Sequence, residues 1–405
     1  MNKLRQHLDK IKPNFQKGGK MAKLGSVFEG FETFLFVPNT TSKRGVHIHD
    51  ANDSKRTMII VVMALIPALL FGMYNVGYQH FLVIGQSVGF WKIFGYGFLA
   101  VLPQIIVSYL VGLGIEFTVA QIKGEDIAEG FLVSGLLIPM IVPVDTPLWQ
   151  IAIATAFAVI FAKEVFGGTG YNVFNVALVT RAFLFFAYPK QMTGDSVFIR
   201  LRSTAGIGTG TPIDAYTGAT PLGQVGVTES GIPAITNAIG EPLTTLDYFL
   251  GLIPGSVGET STAAILIGAV LLLVTGIASW KIMLSIFGSG FLTALMFNAI
   301  GANGAMCLPA IDHILLGGFA FGAVFMATDP VTAARTEKGK WIYGILIGFF
   351  AIVIRTLNPG YPEGMMLAIL LMNIFAPLID YYVVDANVRM RAKRTQKATA
   401  VVEGK

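Results

Sequence analysis

Long apolar stretches separated by short polar segments run through most of this 405-residue chain. Crossing the hydrocarbon core of a bilayer takes about 20 mainly apolar residues. Segments of suitable length occur at residues 57–75, 93–120, 130–143, 147–166, 172–189, 262–279, 281–300, 311–328, 341–357 and 362–382. The third is short and holds Pro139 and Pro143, so we expect a broken helix or half-helix there. The pattern predicts an all-α polytopic membrane protein with about ten transmembrane helices.

The composition agrees with a membrane protein and excludes several other classes. The chain is 54% hydrophobic, 13% charged and contains 46 glycines. A soluble chain carries about twice this share of charged residues, whereas glycines let membrane helices approach closely. The net charge of +5 comes from basic ends beside the membrane and does not indicate nucleic-acid binding. The single cysteine, Cys307, excludes an internal disulfide and an iron–sulfur cluster held by this chain alone.

The distribution of lysine and arginine predicts the orientation of the spans. Cytoplasmic segments of membrane proteins are enriched in these residues. With the N-terminus inside, the inner segments hold 23 of them, and the outer loops hold only Lys92, Lys190, Arg200 and Arg202. Both termini are therefore expected in the cytoplasm. We expect an N-terminal arm (1–56), a first five-helix repeat (57–189), an outer loop (190–261), a second five-helix repeat (262–382) and a basic tail (383–405).

The two apolar halves share loose sequence similarity. Residues 142–145 recur loosely as 327–330 with Asp145 matching Asp329, Trp149 recurs as Trp341, and 167–172 recur as 358–363, at offsets from 184 to 192. Because each half has five spans, the second repeat would be inverted in the membrane. Inverted repeats place ion and substrate sites near the midplane at broken helices. Chance similarity between Gly/Pro-rich membrane segments is the alternative.

A polar string in the outer loop is the first candidate site. It reads Asp214-x-x-Thr217-Gly218-Ala219-Thr220. A hydroxyl nucleophile must be exposed, and Gly218 and Ala219 leave room for a bulky donor to reach Thr220. Asp214 is a candidate to orient the donor's metal or the hydroxyl. An ordinary glycine-containing turn is the alternative.

Four acidic residues at the inner ends of spans form a second candidate site. They are Glu116, Glu164, Asp329 and Asp380. Ionisable groups inside a membrane are costly and commonly functional, and carboxylates suit hard cations. The pattern predicts a cation entry route on the cytoplasmic side. Alternatively, each acid caps a helix or pairs with a lysine, and Lys163 directly precedes Glu164.

Two asparagines after a glycine-rich run form a third candidate site. Asn172 and Asn175 are three residues apart and are expected to project from one face of the fifth span. Their amides match the donor and acceptor edge of an isoalloxazine ring, and a polar clamp between helices is the alternative. No metal site is predicted, because His47, His49, Asp50 and Asp53 are typical of a solvated segment beside the membrane.

Taken together, these motifs resemble the B subunits of sodium-translocating NADH:quinone oxidoreductases and the paralogous D subunits of Rnf complexes. The resemblance rests on residues 217–220, on 163–175 with the following 181–189, and on 147–150. It covers residues 44–385. The 56-residue polar arm, with Asp53, Lys55 and Arg56 at its end, favours the quinone reductase.

The resemblance implies a membrane subunit of a redox-driven sodium pump in the bacterial inner membrane, with the outer loop in the periplasm. It implies an FMN joined through its phosphate to Thr220 and a noncovalent riboflavin at Asn172 and Asn175. Ubiquinone is expected near Gly112 and Leu113. Sodium transit is implied at the acids Glu116, Asp329 and Asp380, and Glu164 is a further candidate for this route.

The same resemblance implies partner proteins. Electrons would come from an NADH-oxidising subunit with FAD and an iron–sulfur centre and from a second subunit with a threonine-linked FMN. Small membrane subunits would complete the complex, and a flavin transferase would attach the FMN.

Two other functions stay open. A secondary transporter would use inverted repeats and intramembrane acids without a redox cofactor. Flavin fluorescence in a denaturing gel band separates that class from a redox pump. An Rnf subunit would serve a ferredoxin-linked route to NAD, and the co-purifying subunits distinguish it.

Overall fold

The computed structural model describes residues 2–15, 21, 28, 32, 54–123, 130–193, 197–208, 210–214, 216–228, 231–358 and 360–403. Helices and loops make up this part of the chain. Its strand-like pairings are isolated bridges, Thr204 with Ile207 and Thr236 with Pro242. The segment 47–53, which is predicted to be solvated and to bind no metal, lies outside the described residues.

The first half of the chain contains α1 (Asn2–Ile11) and five membrane segments. These are α2 (Ser54–Ile84), α3 (Phe90–Lys123), α4 (Phe131–Ile141), α5 (Leu148–Ala158) and α6 (Val176–Ala187). A π-helical turn (Val159–Lys163) and a 3-10 turn (Glu164–Phe166) extend α5. The loop that follows holds three short helices, α7 (Lys190–Thr193), α8 (Pro221–Val227) and α9 (Thr245–Leu250).

The second half has a matching set of membrane segments. They are α10 (Thr262–Val274), α11 (Trp280–Ile300), α12 (Gly304–Cys307), α13 (Ala310–Leu315), α14 (Phe319–Phe321), α15 (Glu337–Leu357) and α16 (Met365–Glu403). A π-helical segment (Gly322–Met326) extends α14. The eighth predicted span is therefore broken into α13, α14 and this π segment.

Six helices in the described part of the chain are long and apolar enough to cross a membrane. They are Arg56–Ile84, Phe90–Lys123, Leu148–Phe166, Trp280–Ile300, Glu337–Leu357 and Met365–Thr395. The other predicted spans are the shorter helices α4, α6 and α10 and the broken segment 310–326. The all-α polytopic class is confirmed. The sequence indicated only the third span as short, whereas four of the ten segments are short or broken.

The helices of the second half run opposite to their counterparts in the first. Thr57, near the start of α2, lines a cavity together with Asp329, and we call this side of the bundle the Thr57 end. The other end of α2 is covered by the long loop, since Ile213 N donates to Val83 O at 3.0 Å. We call that side the loop end. α10 starts at the loop end, where Thr262 Oγ1 donates to the carbonyl oxygen of Leu315. Leu272, near the other end of α10, lines the cavity at the Thr57 end. α10 is therefore antiparallel to α2.

Helix neighbours also repeat between the halves. In the first half α3 packs against α4 and α5, and α5 packs against α6. In the second half α11 packs against α13 and α15, and α15 packs against α16. Opposite direction with the same neighbours is the arrangement expected of two inverted five-segment repeats.

Glycines allow the closest helix approaches in the bundle. A Cβ added at Gly97 in α3 would collide with the backbone carbonyl oxygen of Met73 in α2, and one added at Gly77 would collide with that of Ile93. A backbone oxygen cannot rotate away as a side chain can. The α2–α3 contact therefore depends on both glycines.

This contact yields a prediction with a matched control two residues away. Gly97→Ala should lower the stability of the protein by about 1–3 kcal/mol through overpacking. Gly95→Ala should be neutral or slightly stabilising, because a Cβ at Gly95 meets nothing within 4 Å and alanine favours helix. Thermal unfolding in detergent compares the two variants, and equal unfolding temperatures would contradict the packing argument.

Candidate functional site

Two adjacent cavities with shared lining residues lie at the Thr57 end, between segments of the two halves. The first, of about 80 Å³, is lined by residues from α2, α4, α10, the segment before α6 and the segment after the π-helical residues 322–326. Among them are Lys163, Thr169, Asn172, Asn175 and Asp329. The second, of about 570 Å³, shares Asp329 and its neighbours with the first and is bordered by Lys281, Arg335 and Lys340. A polar chamber therefore sits at this end of the repeat interface.

The two asparagines line this chamber, but not from one helix face as expected. Asn172 lies in the loop, and its amide donates to the carbonyl oxygen of Phe174 at 3.1 Å. Asn175 is the N-cap of α6, where its side-chain oxygen accepts from the backbone amides of Ala177 (3.0 Å) and Leu178 (3.3 Å). The expected face is wrong because asparagine is a preferred N-cap, so α6 begins only at Val176. Both side chains nevertheless reach the same cavity.

Asp329 connects the two repeats at this chamber. The amide of Asn175 donates to its carboxylate at 3.3 Å across 154 residues of sequence. The same carboxylate accepts from Thr332 Oγ1 and from the backbone amide of Val331, each at 3.1 Å. Asp329 borders both cavities and has no lysine or arginine partner in the described residues. Of the four predicted acids, it is the one placed to meet a mobile cation.

Glu116 and Glu164 are both engaged in ion pairs. Lys163 Nζ contacts Glu116 Oε1 in a pair whose side chains are only 5% and 4% exposed. Lys123 Nζ lies 3.4 Å from Glu164 Oε2, with the lysine 36% exposed. Lys163 and Glu164 are adjacent in sequence but do not pair with each other, because successive residues in a helix point in different directions. Each acid is instead paired with a cation from another part of the chain.

Asp380 acts as an anchor for the segment that precedes α15. Its carboxylate accepts from the backbone amides of Arg335 (2.7 Å) and Thr336 (3.0 Å) and from Thr336 Oγ1 (2.5 Å). Thr336 is in turn the N-cap of α15. These contacts give Asp380 a structural role, and Asp380 itself lines neither of the two cavities.

Gly112 lies where α3 and α4 touch. A Cβ at Gly112 would overlap the ring of Phe131, so this glycine is required for the close approach of the two helices. Leu113 is half-buried beside it. Both residues lie at the contact between the two helices. Their role in quinone binding stays a prediction.

At the loop end, the polar string meets a large cleft. Thr220 is the N-cap of α8, and its Oγ1 accepts from the backbone amide of Gly223 at 3.2 Å. Thr217 Oγ1 accepts from the amide of Ala219 at 3.4 Å, which makes a tight turn before Thr220. Gly218 is buried in this turn, and Asp214 is exposed outside it.

The cleft beside Thr220 has a volume of about 490 Å³. It is lined by Thr217, Ala219 and Thr220 on one side and by Arg181, Phe185 and Tyr361 on the other. The rings of Phe185 and Tyr361 meet edge to face with centroids 4.5 Å apart. Thr220 is half-buried, so its hydroxyl stands at the rim of an aromatic cleft of a size typical of small-molecule sites.

A buried ionic cluster forms the floor of this cleft. Arg181 in α6 is 3% exposed and donates to Glu259 at 2.6 Å and to the carbonyl oxygen of Ile141 at 2.5 Å, and it also pairs with Glu363. Arg181 lies within the predicted fifth span, 172–189. A buried arginine requires counter-charges; that rule predicts acidic partners, and the fold shows that they are Glu259 and Glu363.

The family of the chain follows from comparison with known proteins. Residues 41–389 match the NQR2, RnfD, RnfE family, so the chain belongs to this family of membrane proteins. It is similar to proteins that are named as the B subunits of Na(+)-translocating NADH-quinone reductases. Examples are those of Chromohalobacter salexigens (44% identical, covering 96% of each chain), Pseudomonas aeruginosa (43%, covering 96% of this chain and 99% of the relative) and Ectopseudomonas mendocina (44%, with the same coverage as the second).

The two lysine–glutamate pairs of the Thr57 end yield a second prediction. Lys163→Met should destabilise the protein by about 3–5 kcal/mol, because it leaves Glu116 buried without a counter-charge. Lys123→Met should cost at most about 1 kcal/mol, because that pair is partly exposed to solvent. Chemical or thermal unfolding of the two variants measures the difference.

A double variant checks the cause. Combining Lys163→Met with Glu116→Leu removes both charges and should recover most of the lost stability. Equal losses for Lys163→Met and Lys123→Met, or no recovery in the double variant, would show that the buried pair does not stabilise the fold through its charges.

Proposed function

We propose that this chain is the membrane subunit of a sodium pump that is driven by electron transfer from NADH to a quinone. The observation that carries this proposal is Thr220, the last residue of the flavin-attachment string, at the rim of the loop-end cleft. The names of the relatives add support, since each is called a subunit of a Na(+)-translocating NADH-quinone reductase. The word subunit in those names supports a multi-subunit complex for this chain as well.

The loop end is proposed to hold FMN as a phosphoester of Thr220. FMN supplies reversible electron transfer when bound. The residues present fit this group: the cleft of about 490 Å³ lies within the range of about 300–1,000 Å³ common for ligand sites. Phe185 and Tyr361 offer ring edges to a flat ligand. Asp214, exposed beyond the turn, is free to meet the flavin transferase rather than the bound flavin.

The Thr57 end is proposed to hold a noncovalent riboflavin near Asn172 and Asn175. Thr169 there has a buried hydroxyl without a hydrogen-bond partner, which a polar ligand would satisfy. The smaller cavity is too small for a flavin by itself, but it shares Asp329 and neighbouring lining residues with the cavity of about 570 Å³. Ubiquinone is proposed to bind on the Gly112 and Leu113 side of α3.

The remaining parts of the proposal concern partners and orientation. The chain has one cysteine, so iron–sulfur chemistry is assigned to an NADH-oxidising partner subunit, and the family resemblance assigns FAD to that same subunit. A second subunit with a threonine-linked FMN, small membrane subunits and a flavin transferase complete the proposal. The excess of lysine and arginine in inner segments supports a cytoplasmic Thr57 end and a periplasmic loop end in the bacterial inner membrane.

Covalent flavin is the direct test of the proposal. The denatured chain should give a fluorescent band in an SDS gel, and Thr220→Ala should abolish this band while the protein still inserts. Thr217→Ala is the matched control and should keep the flavin, because Thr217 Oγ1 serves the turn. A wild-type chain without bound flavin would favour a transporter without redox chemistry, and fluorescence that survives Thr220→Ala would place the attachment elsewhere.

The sodium dependence of quinone reduction tests whether Asp329 lies on the proposed cation route. Asp329→Asn should raise the sodium concentration for half-maximal quinone reduction about tenfold, since one removed charge-assisted contact costs about 1–3 kcal/mol. Asp380→Asn is the control and should leave the sodium dependence unchanged. It should lower the stability of the protein by about 1–3 kcal/mol, because it weakens the contacts with the backbone amides of Arg335 and Thr336. Unchanged sodium activation in Asp329→Asn would remove this carboxylate from the route.

A further inference from the structure

A small cavity lies directly beneath Thr220, between the polar string and the buried ionic cluster. Its volume is about 30 Å³, and its oxygen-bearing lining residues are Thr220, Ser256, Glu259, Thr260 and Glu363. A cavity of at least about 10–15 Å³ can hold one water-sized occupant. Carboxylate and hydroxyl oxygens are the ligands that hard cations prefer.

Thr260 gives an independent indication that something binds in this cavity. Its side chain is only 2% exposed, and its hydroxyl has no hydrogen-bond partner. A buried hydroxyl without a partner costs about 1–3 kcal/mol, so an occupant that contacts it removes this cost. Ser256 beside it donates to the carbonyl oxygen of Ile141 at 3.3 Å, which leaves the serine oxygen able to accept or to coordinate.

The charges around the cavity decide which kind of occupant it takes. Glu259 and Glu363 contribute two negative charges, and Arg181 pairs with both. The second cation, Arg355, binds the backbone carbonyl oxygens of His313, Leu316 and Glu363 rather than a carboxylate. The four groups balance while Thr220 is unmodified.

Attachment of FMN changes this balance. A phosphate that bridges Thr220 and a flavin is a diester, which carries one negative charge at neutral pH. The modified site therefore holds three negative and two positive charges. Arg181, Arg355 and Glu259 are at most 4% exposed, whereas the phosphate lies on the half-buried Thr220 at the rim of the cleft. A net negative charge beside buried ionised groups is unfavourable, so the modified site attracts one positive charge.

We propose that this cavity binds one small monovalent cation of the size of Na⁺, held by oxygens of Glu259, Thr260 and Ser256 next to the flavin-bearing Thr220. The inference rests on the proposed function, because the phosphodiester supplies the unbalanced charge. The cation would lie at the loop end, on the opposite side of the bundle from Asp329. The two positions then mark separate cation sites at the two ends of the repeat interface.

The test measures the midpoint potential of the FMN on this chain in the assembled complex. The signal of this FMN is isolated by subtracting the redox titration of the Thr220→Ala complex from that of the wild-type complex. NaCl should raise this potential, and choline chloride at equal concentration should not, because choline is too large for the cavity. Thr260→Val keeps the shape and removes the hydroxyl, so its half-effective Na⁺ concentration should rise about tenfold, equivalent to about 1.4 kcal/mol. Thr260→Ala should show the same shift if Thr260→Val folds poorly.

Two variants serve as controls. Thr260→Ser retains the hydroxyl and should behave as wild type. Thr155→Val removes another buried and unpartnered hydroxyl, which lies in α5 and does not line this cavity, and it should also keep the wild-type Na⁺ dependence.

The outcomes separate this inference from the proposed function. A wild-type chain without covalent flavin overturns the proposed function, and the charge argument falls with it. A flavin-bearing wild type overturns the inference alone if choline acts like Na⁺, if Thr260→Val keeps the wild-type Na⁺ dependence, or if Thr155→Val shifts it equally. A cavity that holds only water gives the second of these results.

Discussion

Side chains that satisfy the open backbone ends of broken helices are the interaction on which this structure depends. A bilayer offers no water to a carbonyl oxygen that lacks a helical partner. Arg181 donates to Ile141 at the end of α4, and Arg355 donates to His313 and Leu316 around the break between α13 and α14. Gln104 in α3 donates to the carbonyl oxygens of Pro143 and Val144 just beyond α4. Without these donors the short segments could not end inside the bundle.

The same donors explain why the interior is charged. A guanidinium that serves a carbonyl in a region without water also needs a counter-charge, and Glu259 and Glu363 provide it for Arg181. The breaks leave space beside the charges, which is why cavities lie next to the helix ends. Such cavities lie at both ends of the bundle, beside Glu259 at the loop end and beside Asp329 at the Thr57 end.

Acidic residues at similar positions along the spans have different roles in this fold. Glu116 is held by Lys163, Asp380 holds two backbone amides, and Asp329 faces a cavity without a cationic partner in the described part of the chain. All three are acids near the Thr57 end of a span, and their positions along the chain do not distinguish them. Only the neighbours that the fold places around each carboxylate decide whether it stabilises the bundle or is available to a ligand.

The order of residues along the chain is enough to establish the membrane class and the family, and it predicts the orientation of the spans and the relation between the two halves. Apolar length and the lysine–arginine bias are local properties of the chain, and the motif at 217–220 is contiguous, so each can be recognised without a fold. The Asn175 cap of α6 is also a local contact, with Ala177 and Leu178, although the spacing alone suggested a helix face. Three-dimensional packing was needed to learn which further spans are short and that Arg181 meets Glu259 and Glu363. The ion pairs of Arg181 join residues up to 182 positions apart. No local pattern encodes such contacts, because the partner of a buried charge is set by the packing of the helices around it.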